Sequence, residues 1–362
     1  MATIDFDRLN EAYDERRIYA LQLEVGDICE QGCIYCYMNA LPQVHNQLSD
    51  EMITRILHDC KRLGVSAVEW LGGEPLLRQS VFEHMGLATD LGLRNNVWTG
   101  GLPLTDMKVL RQTLHHARYG LIAVHVSTVG PKTYRRLHPE RPTSDLTRIV
   151  EAVERLLELG YPADQIINSV TFTGLQTADD MIETIDYFER RFGILTSLNV
   201  YHTYLRPGQA RRELEQFIPD RAAVSKVYRR WTRQYDAERL PMNCVNKQYC
   251  SATMAVLCDG SVTPCATIRP PDAPKLSESG SLCDIFHEHR EELIFGRFRD
   301  PDNLPEECRT CVLSDSCWGC RSRAYAAGEG IYGRDPRCFR HPAKSGRILP
   351  GDSPEGKSGT DN

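Results

Sequence analysis

Between Tyr19 and Tyr204, short apolar or alternating runs take turns with amphipathic stretches, and this alternation limits the fold more than any other feature of the chain. Tyr19 to Val25 alternates and reads as a strand. Ser49 then caps a helix whose Ile53, Ile56, Leu57, Cys60 and Leu63 share a face, and Gly64 stops it. On that face Cys60 reads as core, since an unpaired Cys packs as a small hydrophobe. Ala67 to Leu71, Asn95 to Thr99, Leu121 to Ser127, Ile166 to Thr173 and Leu195 to Tyr204 supply five more strands. Thr105 to Leu114 and Asp179 to Phe192 read as helices. So does the stretch capped by Ser144, with Leu146, Ile149, Val150, Val153, Leu156 and Leu157 on one face and Gly160 at its end. Six strand–helix units in roughly 220 residues imply an α/β chain with a parallel sheet and right-handed crossovers. They are too few for a closed eight-stranded barrel.

The first strand runs into Cys29-x3-Cys33-x2-Cys36. Three thiolates this close can hold three irons of a cubane cluster and leave the fourth iron open for chemistry. A structural zinc site wants four ligands, and neither a His nor a fourth Cys follows within a turn or two. The second strand runs into Gly72-Gly73-Glu74-Pro75. Its glycines allow close backbone approach to a ligand, and Glu74 offers a carboxylate at the edge where parallel α/β folds bind ligands. Alone, the same four residues are also compatible with an ordinary turn.

Taken together, Cys-x3-Cys-x2-Cys with Tyr35 before its last cysteine, followed at this interval by Gly-Gly-Glu-Pro, resembles the radical SAM enzymes. The resemblance implies a partial (β/α)6 barrel, open on one side for substrate. It implies a [4Fe–4S] cluster on Cys29, Cys33 and Cys36 that chelates S-adenosylmethionine (SAM) and cleaves it to a 5′-deoxyadenosyl radical. Tyr35, Gly72, Gly73, Glu74 and Pro75 would contact SAM. Val126-Ser127-Thr128-Val129-Gly130-Pro131 resembles the family's fourth-strand segment, with Val129 where an Asp is usual. Ser127 would meet the ribose, and Arg136, Arg141 or His138 the SAM carboxylate. Asn168 and Pro207-Gly208-Gln209-Ala210 also match positions of the family.

A polar helix from Arg211 to Glu238, with Val224, Val227 and Trp231 on one face, is expected to bridge to a second, cysteine-rich region. That region holds Cys244-x5-Cys250-x14-Cys265, then Cys308-x2-Cys311-x5-Cys317-x2-Cys320, then Cys338. Eight cysteines suffice for two four-thiolate sites, of zinc or of iron and sulfur. Their order resembles the SPASM domain of radical SAM enzymes. By position in that pattern, Cys244, Cys250, Cys265 and Cys320 would hold a nearer auxiliary cluster. Cys308, Cys311, Cys317 and Cys338 would hold a farther one, for three [4Fe–4S] clusters in all. The spacing before Cys320 is two residues where three is usual. Asp259-Gly260 between apolar residues reads as a β-hairpin turn. Cys258 and Cys283 are left over, either as filler or as hydrogen-atom donors. The sequence does not identify a general base; Asp259, His125, His202 and Tyr201 are candidates by position only. The expected divisions are an N-terminal extension at 1–18, the barrel and bridging helix at 19–238, the SPASM region at 239–342 and a disordered tail at 343–362.

Fourteen cysteines in a chain with a polar, charged N-terminus suit a reducing cytoplasm rather than secretion. A net charge of −6 gives no case for nucleic acid, and no apolar run reaches membrane length. The resemblance implies a flavodoxin- or ferredoxin-type electron donor. It implies oxidation or crosslinking of a ribosomally made peptide, with oxidation or epimerisation of a sugar, cyclitol or cofactor precursor as the alternative. Only about 18 residues precede the first strand, so a leader-binding domain is not expected. Ala266 stands where anaerobic sulfatase-maturing enzymes carry an Asp base, which argues against that activity. Gly319-Cys320-Arg321-x-Arg323-Ala324-Tyr325 with Asp335-Pro336-Arg337-Cys338 resembles SPASM proteins of pyrroloquinoline quinone and heme-type pathways. A zinc-binding scaffold would leave Cys29, Cys33, Cys36 and Gly72 to Pro75 unexplained.

Overall fold

The computed structural model describes residues 4–201, 214–235, 245–338 and 340. Strands β1 (Ala20–Glu24), β2 (Ala67–Leu71), β3 (Arg94–Thr99), β4 (Leu121–Val124), β5 (Ile166–Phe172) and β6 (Leu195–Val200) lie side by side in chain order, all parallel. The C-terminal half continues the same sheet. There β7 (Thr253–Val256) pairs parallel with β1, and β8 (Val262–Thr263) pairs antiparallel with β7. Among the described residues the sheet ends at β6 and β8, so it is open. The Asp259-Gly260 turn joins β7 to β8 as expected, with Gly260 at φ +82°.

Helices α1 (Phe6–Asp14), α2 (Asp50–Arg62), α3 (Val81–Asp90), α4 (Met107–His116), α5 (Pro131–Leu137), α6 (Ser144–Glu158), α7 (Ala178–Phe192) and α8 (Arg221–Arg233) accompany the barrel strands. The shorter α9 (Lys247–Ser251) and α10 (Leu282–Glu288) belong to the C-terminal half. The pleat sends Leu21, Leu23, Val68, Trp70, Val97, Ile122 and Val124 outward, against Ile53, Ile56, Leu57 and Cys60 of α2 and Ile149, Val153 and Leu156 of α6. Burying one such side chain is worth roughly 1.5–3 kcal/mol, more than a typical hydrogen bond at about 1 kcal/mol. The apolar face therefore sets the strand register and leaves Gln22, Glu24 and Glu69 on the inner face.

Local chemistry sets the boundaries. The Ser49 side chain accepts the N–H of Met52 to start α2, and Gly64 at φ +71° ends it. Thr177 and Asp180 form a capping box on α7. Helix α6 departs from expectation at its start. Thr143 occupies the cap without a side-chain bond, and buried Asp145 holds the first turn through Arg141 and Arg148. Strand β4 stops at Val124, short of Ser127, because the N–H of Val126 turns to Asn168 Oδ1 (3.2 Å) instead of to a neighbouring strand. Of the bridging helix, residues 211–213 and 236–238 lie outside the described residues. The rest corrects the expected start: Glu215–Phe217 form a separate single turn that ends in extended Ile218, and the helix begins only after Asp220, whose side chain accepts the N–H of Ala223. Its Val224, Val227 and Trp231 pack on Val170, Phe172, Leu198 and Ile185. The N-terminal stretch carries α1, whose Leu9 and Ala12 pack with Tyr19, Tyr249 and Ala252.

Candidate active site

Cys29, Cys33 and Cys36 stand on the loop that leaves β1, against the turn that leaves β2. The N–H of Gly73 donates to Gly26 O at 2.9 Å, and the N–H of Glu74 to Ile28 O at 2.7 Å. A Cβ on Gly72 would sit 2.4 Å from Gly26 O, and one on Gly73 would sit 2.2 Å from Ile28 O. The close approach that these glycines permit is thus to the cysteine loop itself. The carboxylate of Glu74 is buried and engaged: it accepts from Thr99 Oγ1 (2.8 Å), the N–H of Gly100 (2.7 Å) and the N–H of Leu76 (3.2 Å). Burial pushes its carboxyl up to about 7 against those bonds. Pro75 opens a buried single-turn helix behind it.

The cysteine loop is gripped from the other side by α5 and the residues after it. The N–H of Ile34 donates to Leu137 O (3.1 Å), and His138 Nδ1 lies 3.0 Å from Gln31 O. Tyr35 is buried among Leu137, Tyr201, Leu214 and Phe217. Its hydroxyl reaches His125 Nε2 (2.8 Å) and Ser127 Oγ (3.3 Å), which are themselves 3.1 Å apart. Burial, and then His138, lowers His125 to about 4, so it is a neutral partner at physiological pH. Ser127 Oγ also accepts the N–H of Thr171 (3.0 Å), tying this network to β5.

Other residues singled out by sequence are placed less directly at the loop. Arg141 lies beside Gly32 but is ion-paired with buried Asp145. Arg136 is exposed and faces the field of Asp180. Asn168 lies on the same face of β5 as Ile166 and Val170, which pack on the helix layers, and it holds Val126. Asp259 caps its own turn through Ser261 and pairs with Lys275. Cys283, in the first turn of α10, directs its Sγ to Asp59 O of α2 at 3.8 Å. Cys258 is buried beside Glu24, to which its N–H donates. His202 and Pro207-Gly208-Gln209-Ala210 lie outside the described residues.

The three-cysteine loop suits a group that takes three thiolates. Cys29 Sγ accepts the N–H of Gln31 at 3.4 Å. Burial, then the Glu74 carboxylate, pushes the Cys29 thiol up to about 12. Burial, then Cys36 and Cys29, raises Cys33. Thiols raised in this way stay protonated at neutral pH, and metal is the partner that ionises such a set. Gln31, buried on the same loop, has neither amide atom partnered, and its Oε1 faces the open Cα of Gly100.

In the C-terminal half, Cys308, Cys311, Cys317 and Cys338 line one pocket with Leu313, Gly319 and Asp335. Cys250 and Cys265 both pack against the cluster around Trp318, and Cys320 is close enough to Cys265 to raise its thiol. Cys244 lies outside the described residues. The frame between the two groups is a buried ion pair, Arg323 with Asp335 at 2.7 Å. Asp335 Oδ2 also accepts the N–H of Cys320 at 2.9 Å. Arg321, also buried, donates to the carbonyls of Trp318, Gly319, Ile331 and Gly333.

A family model described as the radical SAM superfamily matches residues 23–188, which span the cysteine loop, the Gly-Gly-Glu-Pro turn and strands β2 to β5. Residues 23–188 are thus a radical SAM domain. A domain of this kind makes the chain an enzyme and implies a [4Fe–4S] cluster and SAM. The chain is 27% identical over 349 residues to the PqqA peptide cyclase of Rhizobium meliloti (strain 1021), covering 90% of this chain and 88% of that protein. It is 22% identical over 270 residues to the probable GTP 3′,8-cyclase of Methanosarcina mazei (strain ATCC BAA-159), covering 70% of this chain and 79% of that one. Its fold is similar to that of Streptococcus suis SuiB bound to the precursor peptide SuiA. The TM-score is 0.63 at 17% identity, over 92% of this chain and 79% of SuiB. Among the described residues, no helix is long and apolar enough to cross a membrane.

Sequence reasoning missed Glu24, Tyr37 and Arg269, which converge beside the cysteine loop. The available signal was Gln22-x-Glu24, two polar side chains on one face of an otherwise apolar strand that leads into the cysteines.

Proposed function

We propose that this radical SAM enzyme oxidises or crosslinks a ribosomally made peptide, with three [4Fe–4S] clusters. Cys29, Cys33 and Cys36 hold the first. Cys244, Cys250, Cys265 and Cys320 hold a nearer auxiliary cluster, and Cys308, Cys311, Cys317 and Cys338 a farther one, in a SPASM region at 239–342 that follows a barrel at 19–238. The observation that carries this reading is the pairing of a three-thiol loop at the strand ends with a separate four-thiol pocket. When bound, the first cluster supplies the electron that splits SAM to the 5′-deoxyadenosyl radical. The chain's own residues position the reactants. Gly72, Gly73 and Pro75 lay the main chain against the loop, and Glu74 locks that turn from behind. Tyr35, His125 and Ser127 fix the far wall. Asn168 holds the end of β4.

The similarity to a peptide cyclase over nearly the full length of both chains supports a peptide substrate. The similarity to a probable GTP cyclase favours a second reading, a small-molecule substrate. The electron donor in either case is a flavodoxin or ferredoxin type of protein. The test begins with iron, sulfide and zinc per chain after anaerobic reconstitution. About twelve irons and as many sulfides are expected; about four irons with two zincs would overturn the auxiliary clusters. Candidate precursor peptides are then incubated with SAM and reductant. Stoichiometric 5′-deoxyadenosine with a mass change on the peptide supports the first reading. Turnover of a nucleotide, sugar or cofactor precursor instead would replace it with the second.

A further inference from the structure

Two alternate side chains on the inner face of β1 both reach into the C-terminal half. Gln22 Oε1 accepts the N–H of Ala266, the residue after Cys265, at 3.0 Å, while Gln22 Nε2 donates to Glu69 at 3.0 Å. Glu24 is 0% exposed and gathers donors from two directions. From the cysteine loop, Tyr37, the residue after Cys36, donates its hydroxyl to Glu24 Oε1 at 3.1 Å. From the C-terminal half, the N–H of Cys258 donates to Oε2 at 3.3 Å, and Arg269 forms an ion pair with Oε1. The guanidinium of Arg269 also stands 5.3 Å from the centre of the Tyr37 ring. One carboxylate thus joins the chain segment after Cys36 to the segments on either side of Cys265.

A buried carboxylate is unfavourable unless it is paired, and well-packed apolar residues would hold two segments together at less cost. What a buried pair adds is a defined geometry. The stack of Arg269 on Tyr37 adds a second constraint on the same two segments.

We propose that Glu24 is a positioning residue that, through Tyr37 and Arg269, fixes the loop bearing Cys36 against the loop bearing Cys265. The SAM-cleaving centre and the nearer auxiliary centre are thereby held at one separation. This rests on the reading of Cys265 as an auxiliary-cluster ligand. Electron transfer between two centres weakens steeply with separation, so the latch matters for passing the second electron away from the substrate.

The experiment uses the reconstituted holoenzyme, reduced with dithionite in the presence of SAM. The spin relaxation of the first cluster's EPR signal is the readout, with iron and sulfide counted for every sample. A neighbouring reduced cluster speeds that relaxation, and Cys265→Ala provides the reference without it. In the native enzyme relaxation is expected to be several-fold faster than in Cys265→Ala. Glu24→Gln and Arg269→Met are expected to lose most of that enhancement while keeping native iron content, and Arg269→Lys to recover part of it. Native enhancement in both Glu24→Gln and Arg269→Met would overturn the latch. A native enzyme indistinguishable from Cys265→Ala would instead overturn the auxiliary-cluster reading beneath it. Should Glu24→Gln not fold, Arg269→Met decides, since that side chain is 32% exposed and its loss opens no sealed cavity.

Discussion

Replacing Gly73 by Ala puts a carbon 2.2 Å from Ile28 O, 2.6 Å from Ile28 C and 2.7 Å from Asp27 O. All three are main-chain atoms of the cysteine loop, so no side chain can swing aside. Ordinary contact begins near 3.4 Å, and the loop must retreat by about 1 Å, the gap between 2.2 and 3.4 Å. The bonds from Gly73 N to Gly26 O and from Glu74 N to Ile28 O span this contact and are lost. Each costs about 1–3 kcal/mol when its donor stays buried. Overpacking adds about 1–3 kcal/mol. That total is a large part of an ordinary stability of about 5–15 kcal/mol, so the loop shifts to relieve it. A shift of about 1 Å at a reacting centre costs on the order of 100-fold in rate. The assay is 5′-deoxyadenosine formed from SAM under reductant, with iron counted and thermal unfolding followed. Gly73→Ala should lower that rate on the order of 100-fold. Gly193→Ala is the control: Gly193 has φ +66° and nothing within 4 Å of an added carbon. It should lose about 1–2 kcal/mol of stability and none of the chemistry. Native 5′-deoxyadenosine production by Gly73→Ala would refute the argument.

Three further outcomes are expected. Cys311→Ala should remove about four irons per chain and leave SAM cleavage by the first cluster in place; unchanged iron would count against the four-cysteine pocket as a cluster site. Arg323→Met strands the buried Asp335 carboxylate and should cost about 3–5 kcal/mol in denaturant unfolding. Burial works against Asp335, but Arg323 holds its carboxyl down at about 2, below its ordinary 3.8. The native pair's contribution is therefore complete above 3.8 and lost as pH falls toward 2, a dependence that Arg323→Met should abolish. Glu74 has the opposite sign. Its folded carboxyl near 7 lies above the ordinary 4.5, so the folded state binds the proton more tightly, and stability of the cluster-free chain falls as pH rises between those values. Glu74→Gln should flatten that slope, worth about 3 kcal/mol across the window, in urea titrations at a series of pH values.

Where local chemistry decides, the sequence was readable. Ser49 and Gly64 bound α2 because the one accepts an N–H and the other tolerates a positive φ. Asp259-Gly260 makes its hairpin for similar reasons. Cys308, Cys311, Cys317 and Cys338, grouped at the outset through the SPASM resemblance, line one pocket. What depended on long-range partners was not readable. Nothing near Leu121 to Ser127 says that Asn168 will take the N–H of Val126 and end β4 early. Nothing near Gly72-Gly73 says that the close neighbour is the backbone of residues 26–28. The role of Glu24 depends on Arg269, 245 positions away.

The parallel pairing of β7 with β1 bears on how this chain is made. Strand β1 bonds on one side to β2, Ala67 to Leu71, which follows it early in synthesis. The other side of Ala20 to Leu23 waits for Thr253 to Val256. Until that segment has left the ribosome, β1 is an edge strand with unpaired N–H and C=O groups. Contacts of such sequence separation form slowly. A fragment ending near residue 238 would keep β1 to β6 yet leave that edge bare, and should aggregate or pair with a second copy rather than behave as a soluble half-enzyme. Cutting the chain between β6 and β7 would cut the sheet itself.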